Sequence, residues 1–105
     1  VPEIVIDNAL SNRLTVLEIT ALDRPGLLYD LTTALGKLNL NIASAHIATF
    51  GEKVVDVFYV TDLTGGKITQ TARQNAIRRA LQEVIHAEAK ETRGARSPTP
   101  VQRSA

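Results

Sequence analysis

Residues 22–31, with the sequence LDRPGLLYDL, join an alternating strand pattern to a helical pattern and decide the fold. Pro25 has a φ angle suited to the first turn of a helix and lacks the N–H that would be unpaired there. Asp23 lies just before that turn, where its carboxylate can accept a backbone hydrogen bond. Gly26 has no Cβ and allows a close approach. The stretch predicts a corner between strand and helix, either a well-capped turn or a binding place for a carboxylate or another small polar group.

Two strands are predicted before this corner. Residues 3–7 are rich in β-branched side chains and follow a proline, which is typical of an edge strand. Residues 13–21 alternate between apolar and polar positions. The apolar side chains on one face of this second strand are Leu17, Ile19 and Ala21. The connection at residues 8–12 is short and ends in turn formers, so the two strands are expected to form an antiparallel hairpin.

A helix and a second hairpin are predicted after the corner. Leucines recur at helical spacing up to residue 38, and Asn39 is expected to end the helix in a left-handed conformation. Residues 41–50 and 53–61 read as two strands joined by a tight turn at Gly51. Residues 53–61 are apolar on both faces, which indicates a central strand or a subunit interface.

The last predicted element is a second helix, from about residue 69, whose inner side is expected to carry Ile77, Ala80, Leu81, Val84 and Glu88. Its arginines, Arg73, Arg78 and Arg79, are expected on the wetter sides of the helix. Residues 93–105 are polar and contain prolines, and they predict a disordered C-terminal tail.

The predicted order ββαββα gives an α+β, two-layer sandwich of the ferredoxin-like type. It has a four-stranded antiparallel sheet and two helices on one face. In this permuted arrangement the N-terminal strand, 3–7, occupies the place beside strand 13–21 that a strand after the second helix usually fills. The predicted domain comprises residues 1–92, with its core at 13–89.

Composition excludes several classes of function. The chain has 105 residues, a net charge of +1 and no cysteine. Such a charge does not favour nucleic acid or a membrane surface as a partner, and the absence of cysteine excludes disulfides and thiolate metal sites. No secretory or membrane-spanning pattern is visible, so a cytoplasmic location is expected. No catalytic set, phosphate-binding glycine loop or metal-ligand cluster is visible, so we expect no catalysis and no cofactor.

The corner DRPGLL at 23–28, followed by NLNI at 39–42, resembles the ACT domain, a small regulatory module. The resemblance covers roughly residues 14–85. The stretches SAHIATFGEK at 44–53 and VDVFYVTD at 55–62, with IDN at 6–8, are similar to the C-terminal ACT repeat of the bifunctional uridylyltransferase/uridylyl-removing enzymes. That family has a nucleotidyltransferase domain, a metal-dependent hydrolase domain and two ACT repeats. It modifies the bacterial PII nitrogen-signalling protein in response to glutamine.

The resemblance implies an amino-acid effector, glutamine in this family, held between two modules by the corner of one and by the start of the following strand. Carried over, the effector-binding positions are Asp23, Arg24, Gly26, Leu27, Asn41 and Ile42. Some ACT domains have a histidine two residues before the position of Asp23. Ala21 stands there in this chain, which favours an effector other than serine or a weaker site. The implied partners are a second ACT repeat or a homodimer copy, and PII through the parent enzyme.

Three other residues have a structural and a functional interpretation each. His46 is expected to be a satisfied or interfacial side chain rather than a ligand. Asp56 could be a buried carboxylate with a perturbed pKa, but the favoured interpretation is that it faces solvent or pairs with Lys53 or an arginine. His86 lies near a helix C-terminus, where a protonated imidazole is favourable.

Other classes of function compete with an effector-binding module. A dimerisation or docking module without a ligand is the main alternative, and the ACT domain of a stringent-response synthetase/hydrolase has a similar corner. RNA binding on the sheet would need aromatic residues two apart on one strand. Phe58 and Tyr59 are adjacent and are therefore expected on opposite faces.

Overall fold

The computed structural model describes the backbone of residues 2–94 and the side chains of residues 2–86. Its elements are, in chain order, β1 (Glu3–Asp7), β2 (Thr15–Leu22), α1 (Leu27–Lys37), β3 (Asn41–Phe50), β4 (Lys53–Thr61) and α2 (Thr71–Gly94). The strands form one antiparallel sheet in the order β1-β2-β4-β3. This confirms the permuted ferredoxin-like arrangement, with β1 beside β2.

Both helices pack on the same face of the sheet. The predicted inward face of β2 is buried, and its Leu17 lies opposite Phe58 of β4. The core that the two strands share with the helices consists mainly of Leu17, Ile19, Leu31, Leu35, Phe58, Val60, Ile77 and Leu81. Ile85 continues the buried stripe of α2, a position that the sequence analysis omitted; the side chain of Glu88 lies outside the described residues.

The central position of β4 explains its apolar character on both faces. β4 pairs with β2 on one side and with β3 on the other. Phe58 is buried on the helix side, while the neighbouring Tyr59 is half-buried on the other face. The prediction that these two aromatic side chains point to opposite faces is confirmed.

The predicted ends of the elements differ from the observed ends by a few residues. β2 begins at Thr15 rather than residue 13 because the Ser11 hydroxyl accepts the N–H groups of Arg13 (3.3 Å) and Leu14 (3.1 Å). Asn39 has a φ of 62°, which confirms its predicted left-handed conformation. α2 extends to Gly94, and the rest of the predicted tail, residues 95–105, lies outside the described residues.

Arg73 is predicted on a solvent-facing side of the second helix, but it makes a structural contact that this prediction did not include. Its Nη2 donates to the carbonyl oxygens of Leu38 (2.8 Å) and Asn39 (3.4 Å), at the C-terminal end of α1. A guanidinium is favourable there because the last carbonyls of a helix are unpaired and partly negative. The contact joins α2 to the C-terminal end of α1.

Among the described residues, no helix is long and apolar enough to span a membrane.

Candidate functional site

The corner between β2 and α1 is a tight turn that ends in a glycine cap. The N–H of Leu27 donates to the carbonyl of Arg24 at 3.3 Å, and Gly26 has φ 82° and ψ −4°. Proline at the second position and a glycine with these angles at the third position define a type II turn. Gly26 is the N-cap of α1, without a side-chain cap. The sequence-based view of Pro25 in the first helical turn, capped by Asp23, is therefore wrong. The left-handed Gly26 follows Pro25 as the N-cap, and the helix begins only at Leu27.

Arg24 braces the corner against α1. Its Nη2 donates to Oδ2 of Asp30 at 2.8 Å, and its Nη1 donates to the carbonyl oxygen of Pro25 at 2.8 Å. Both side chains are largely covered, with exposures of 18% and 34%. Such a contact holds the turn in one orientation relative to the first turn of the helix, where backbone N–H groups lack intrahelical acceptors. Arg24 therefore positions the corner, whatever else it contacts.

Asp23 is held at one end of the sheet. Its N–H donates to the carbonyl of Glu52, in the β3–β4 turn, at 2.8 Å. The residue before it, Leu22, pairs with Lys53, which in turn pairs with Phe50. The corner, the start of β4 and the end of β3 therefore lie together.

Asn41 and Ile42, the other two predicted effector contacts, lie at the opposite end of the sheet. Asn41 pairs with Thr61, and β3 runs from there to Phe50 beside the corner. Nine residue steps at about 3.4 Å each separate these ends by about 30 Å. The structure thus brings together Asp23, Arg24, Gly26 and Leu27, but not Asn41 and Ile42 of the same chain. One copy of the chain cannot form the whole predicted site.

Asp56 is buried at the corner end of the sheet. Its exposure is 2%, it lies opposite the buried Ile19, and its Oδ1 has no hydrogen-bond partner among the described residues. Burial raises the pKa of the Asp56 carboxyl, and the nearby Asp23 carboxylate raises that pKa further. The favoured prediction, of a carboxylate facing solvent or paired with a cation, is wrong. Alternation along β4 puts even-numbered residues, including Val54 and Phe58, on the helix side, and this signal was available in the sequence.

β3 is an uncovered edge strand. All ten of its residues are exposed, and it contains no Asp, Glu, Lys, Arg or Pro. On the helix side, Ile42 and Ile47 lie opposite the buried Val60 and Asp56 but are 37% and 47% exposed. Edge strands usually carry charges or proline that prevent further pairing. The free edge of β3 therefore has the character of a surface that pairs with another strand.

His46 lies on the face of the sheet away from the helices. It pairs in register with Val57, and its ring stands edge-on to Tyr59 at a centroid distance of 5.5 Å. This contact agrees with the prediction of a satisfied or interfacial histidine. Across the described residues, no cluster of three or more His, Cys, Asp or Glu side chains could hold a metal ion.

Comparison with known proteins identifies the family. Residues 3–96 match the family model described as an ACR9-like, ACT-like domain. The chain therefore belongs to the ACT-like domain family, as its sequence resemblance implied.

The chain is also similar to part of several curated enzymes. It is 64% identical over 84 residues to a bifunctional uridylyltransferase/uridylyl-removing enzyme of Rhodopseudomonas palustris, and 63% identical to that of Bradyrhizobium diazoefficiens. Each alignment covers 80% of this chain and 9% of the relative, so the chain spans only about a tenth of their length. A solved structure of an unknown protein from Galdieria sulphuraria matches 63% of this chain and 37% of its own, with 24% identity and a TM-score of 0.48.

Proposed function

We propose that this ACT-like domain is a regulatory module that binds a free amino acid, glutamine, without catalysis or a cofactor of its own. In this proposal it controls the uridylyltransferase and uridylyl-removing activities of a longer cytoplasmic enzyme that acts on the PII protein. High identity to bifunctional uridylyltransferase/uridylyl-removing enzymes supports this parent over a stringent-response synthetase/hydrolase. The proposed effector contacts are Asp23, Arg24, Gly26, Leu27, Asn41 and Ile42.

The observation that carries the proposal is the separation of these contacts within one chain, together with the open edge of β3. If two modules pair antiparallel through their β3 strands, the Asn41 end of one β3 lies beside the Phe50 end of the other. The corner lies at the same end of the sheet as Phe50, because the N–H of Asp23 donates to the carbonyl of Glu52 in the β3–β4 turn. The pairing would therefore bring Asn41 of a second module to the end of the joined sheet that holds the corner of the first.

The chemistry of the two halves suits a zwitterionic effector. The N–H of Leu27 is engaged by the carbonyl of Arg24, so an effector carboxylate would be bound by the N–H groups that follow it in the first turn of α1, which lack intrahelical acceptors. The carboxylate of Asp23 can accept from an ammonium, and the Asn41 amide can both donate and accept. The second module is either another copy of this chain or a neighbouring ACT repeat.

The experiment is a complementation test by calorimetric titration with L-glutamine. Asp23→Ala and Asn41→Ala variants should each fail to bind as homodimers, because each composite site lacks one side. Mixing the two variants should restore about a quarter of the wild-type sites, since half of the dimers become heterodimers with one intact site. Binding to wild type that mixing fails to restore would contradict a shared site.

The main alternative is a docking module that binds no amino acid. The uncharged edge of β3 is compatible with it as well. A wild-type dimer whose titrations with glutamine and the other amino acids are all flat would favour this alternative.

A further inference from the structure

Among the described residues, the buried carboxyl of Asp56 has no cation or hydrogen-bond donor at its Oδ1 that explains its position. It stands on the helix side of β4, between Ile19 of β2 and Ile47 of β3 in register. Its exposure is 2%, and Oδ1 accepts no hydrogen bond within the described part of the chain. A buried polar group without a partner is destabilising, and a buried charge without one more so. A side chain that costs stability in this way is a candidate for a binding role.

The charge around Asp56 is unbalanced. The charged group that acts on it is the like-charged Asp23, which raises the pKa of the Asp56 carboxyl beyond the effect of burial. Several charged groups of the surrounding elements are directed or engaged elsewhere. Glu18 and Lys53 lie on the opposite face of the sheet by register, Asp30 is paired with Arg24, and Arg73 contacts the C-terminal end of α1. The corner therefore contains two carboxyl groups without a facing cation in the part of the chain that the structure describes.

We propose that Asp56 binds the α-ammonium group of the amino-acid effector, together with Asp23. This inference rests on the proposed function and adds a residue on the sheet to the corner and the second module. An ammonium offers three donors, one of which would reach the Asp56 Oδ1 that has no partner among the described residues. It would replace the proton that burial favours on the free carboxyl. The effector carboxylate would then point toward the first turn of α1, which favours negative charge.

In this proposal the effector reaches Asp56 from the open edge of the sheet. Its neighbour on β3, Ile47, is 47% exposed, and Leu28 in the first turn of α1 is 43% exposed. A small ligand that entered between α1 and β3 would pass one strand, β3, before it reached Asp56 on β4. Pairing of a second module along β3 would then close the site from the side and exclude water from the ammonium–carboxylate contact, which strengthens it.

The test compares L-glutamine with 4-carbamoylbutanoate, which is glutamine without its α-ammonium group, in calorimetric titrations of the full chain. Wild type should bind glutamine about tenfold or more tightly than the analogue, because hydrogen bonds between charged groups are the strong ones. Asp56→Asn, which keeps the shape of the side chain, should lose most of this preference, because only the Asp23 carboxylate then remains for the ammonium. Asp62→Asn, an equivalent change in the 62–66 loop, is the matched control and should behave as wild type.

Each outcome separates this inference from the proposed function. A wild-type protein that binds no amino acid would overturn the proposed function, and this inference with it. A wild type that binds glutamine, with an Asp56→Asn variant that keeps the wild-type preference or weakens both compounds equally, would overturn this inference alone.

A second measurement on wild type needs no variant. The carboxyl carbon resonance of Asp56 should move toward the position of an ionised carboxylate when glutamine is added, and should stay in place with the analogue. A resonance that is insensitive to glutamine would overturn the assignment, even if the variant failed to fold.

Discussion

The hydroxyl of Thr15 donates to Oδ1 of Asn8 at 2.6 Å and accepts the N–H of Ile68 at 2.8 Å. The amide of Asn8 in turn donates to the carbonyl of Ile68 at 2.8 Å. Lys67 closes the arrangement, since its Nζ donates to the carbonyl of Asn8 at 2.7 Å. Thr15 is fully buried. This cluster joins the β1–β2 hairpin to the connection between β4 and α2, two parts of the chain that are more than 50 residues apart.

Replacing Thr15 by Val should destabilise the domain by about 1–3 kcal/mol, because the Ile68 N–H and the Asn8 side chain would lose their partner in the interior. Urea unfolding measures this change. Thr20→Val is the matched control: it lies on the same strand, half-buried on the other face, and should change the free energy of unfolding little. Equal effects of the two substitutions would mean that the buried hydrogen bonds contribute nothing specific.

Two glycines of the corner and helix should respond oppositely to alanine. Gly26→Ala should destabilise the domain by about 1–2 kcal/mol, because its φ of 82° is strained for any residue with a Cβ. Gly36→Ala should stabilise it by about 0.5–1 kcal/mol, since this glycine is within α1 and an added Cβ meets nothing within 4 Å. Thermal unfolding of both variants tests the pair. A loss of stability in Gly36→Ala at micromolar concentration would instead indicate a tight contact at that helix position in the assembled form.

Stability should fall as the pH rises through the ionisation of Asp56. The folded-state pKa of this carboxyl is raised above 3.8, so the folded protein keeps a proton that the unfolded chain has released. The contribution of Asp56 to stability is therefore complete below the unfolded-state pKa and is lost as the pH rises through the folded-state pKa. Asp56→Asn should remove this part of the pH dependence and be more stable than wild type at neutral pH.

Urea unfolding at several pH values between 4 and about 7 measures the slope. Asp62 gives a contrast within the same protein. Hydrogen bonds from the Thr64 hydroxyl and the Gly66 N–H lower the pKa of its carboxyl, so its contribution has the opposite sign and is lost as the pH falls. If wild type and Asp56→Asn show the same pH profile, Asp56 is not protonated in the folded protein at any pH where the unfolded chain is ionised.

A charge on the open edge should prevent self-association of the chain. Ala48→Lys places an ammonium on β3, and a charged side chain on an edge strand loses hydration when a second strand pairs beside it. We expect the dissociation constant of the dimer to increase at least about tenfold, measured by light scattering over a concentration series. Val5→Lys is the matched control because Val5 lies on the same sheet face of the other edge strand, β1. Equal weakening by both substitutions, or a monomeric wild type, would contradict pairing through β3.

Local pattern in the sequence was sufficient for most of the fold. The bounds of β1, β3 and β4 are the predicted ones. Strand-forming residues between turn formers set the ends of a strand through preferences that act over only a few residues. Asn39 ends α1 with a positive φ, since that preference belongs to the residue itself. The position of β1 beside β2 also followed from the length of the connection between them, because a short connection makes a hairpin the simplest arrangement.

The tertiary structure alone decided which side chains share a site. Asp23 and Asn41 lie 18 residues apart and flank one helix, yet the antiparallel sheet puts them at opposite ends. Asp56 reads as a surface carboxylate by its chemistry, but its side chain is buried on the helix side of a central strand, and this environment raises its pKa. The sequence by itself determined the elements and their order, because these depend on local backbone and side-chain preferences. The meeting of distant residues depends on packing between elements, and only the folded chain decides it.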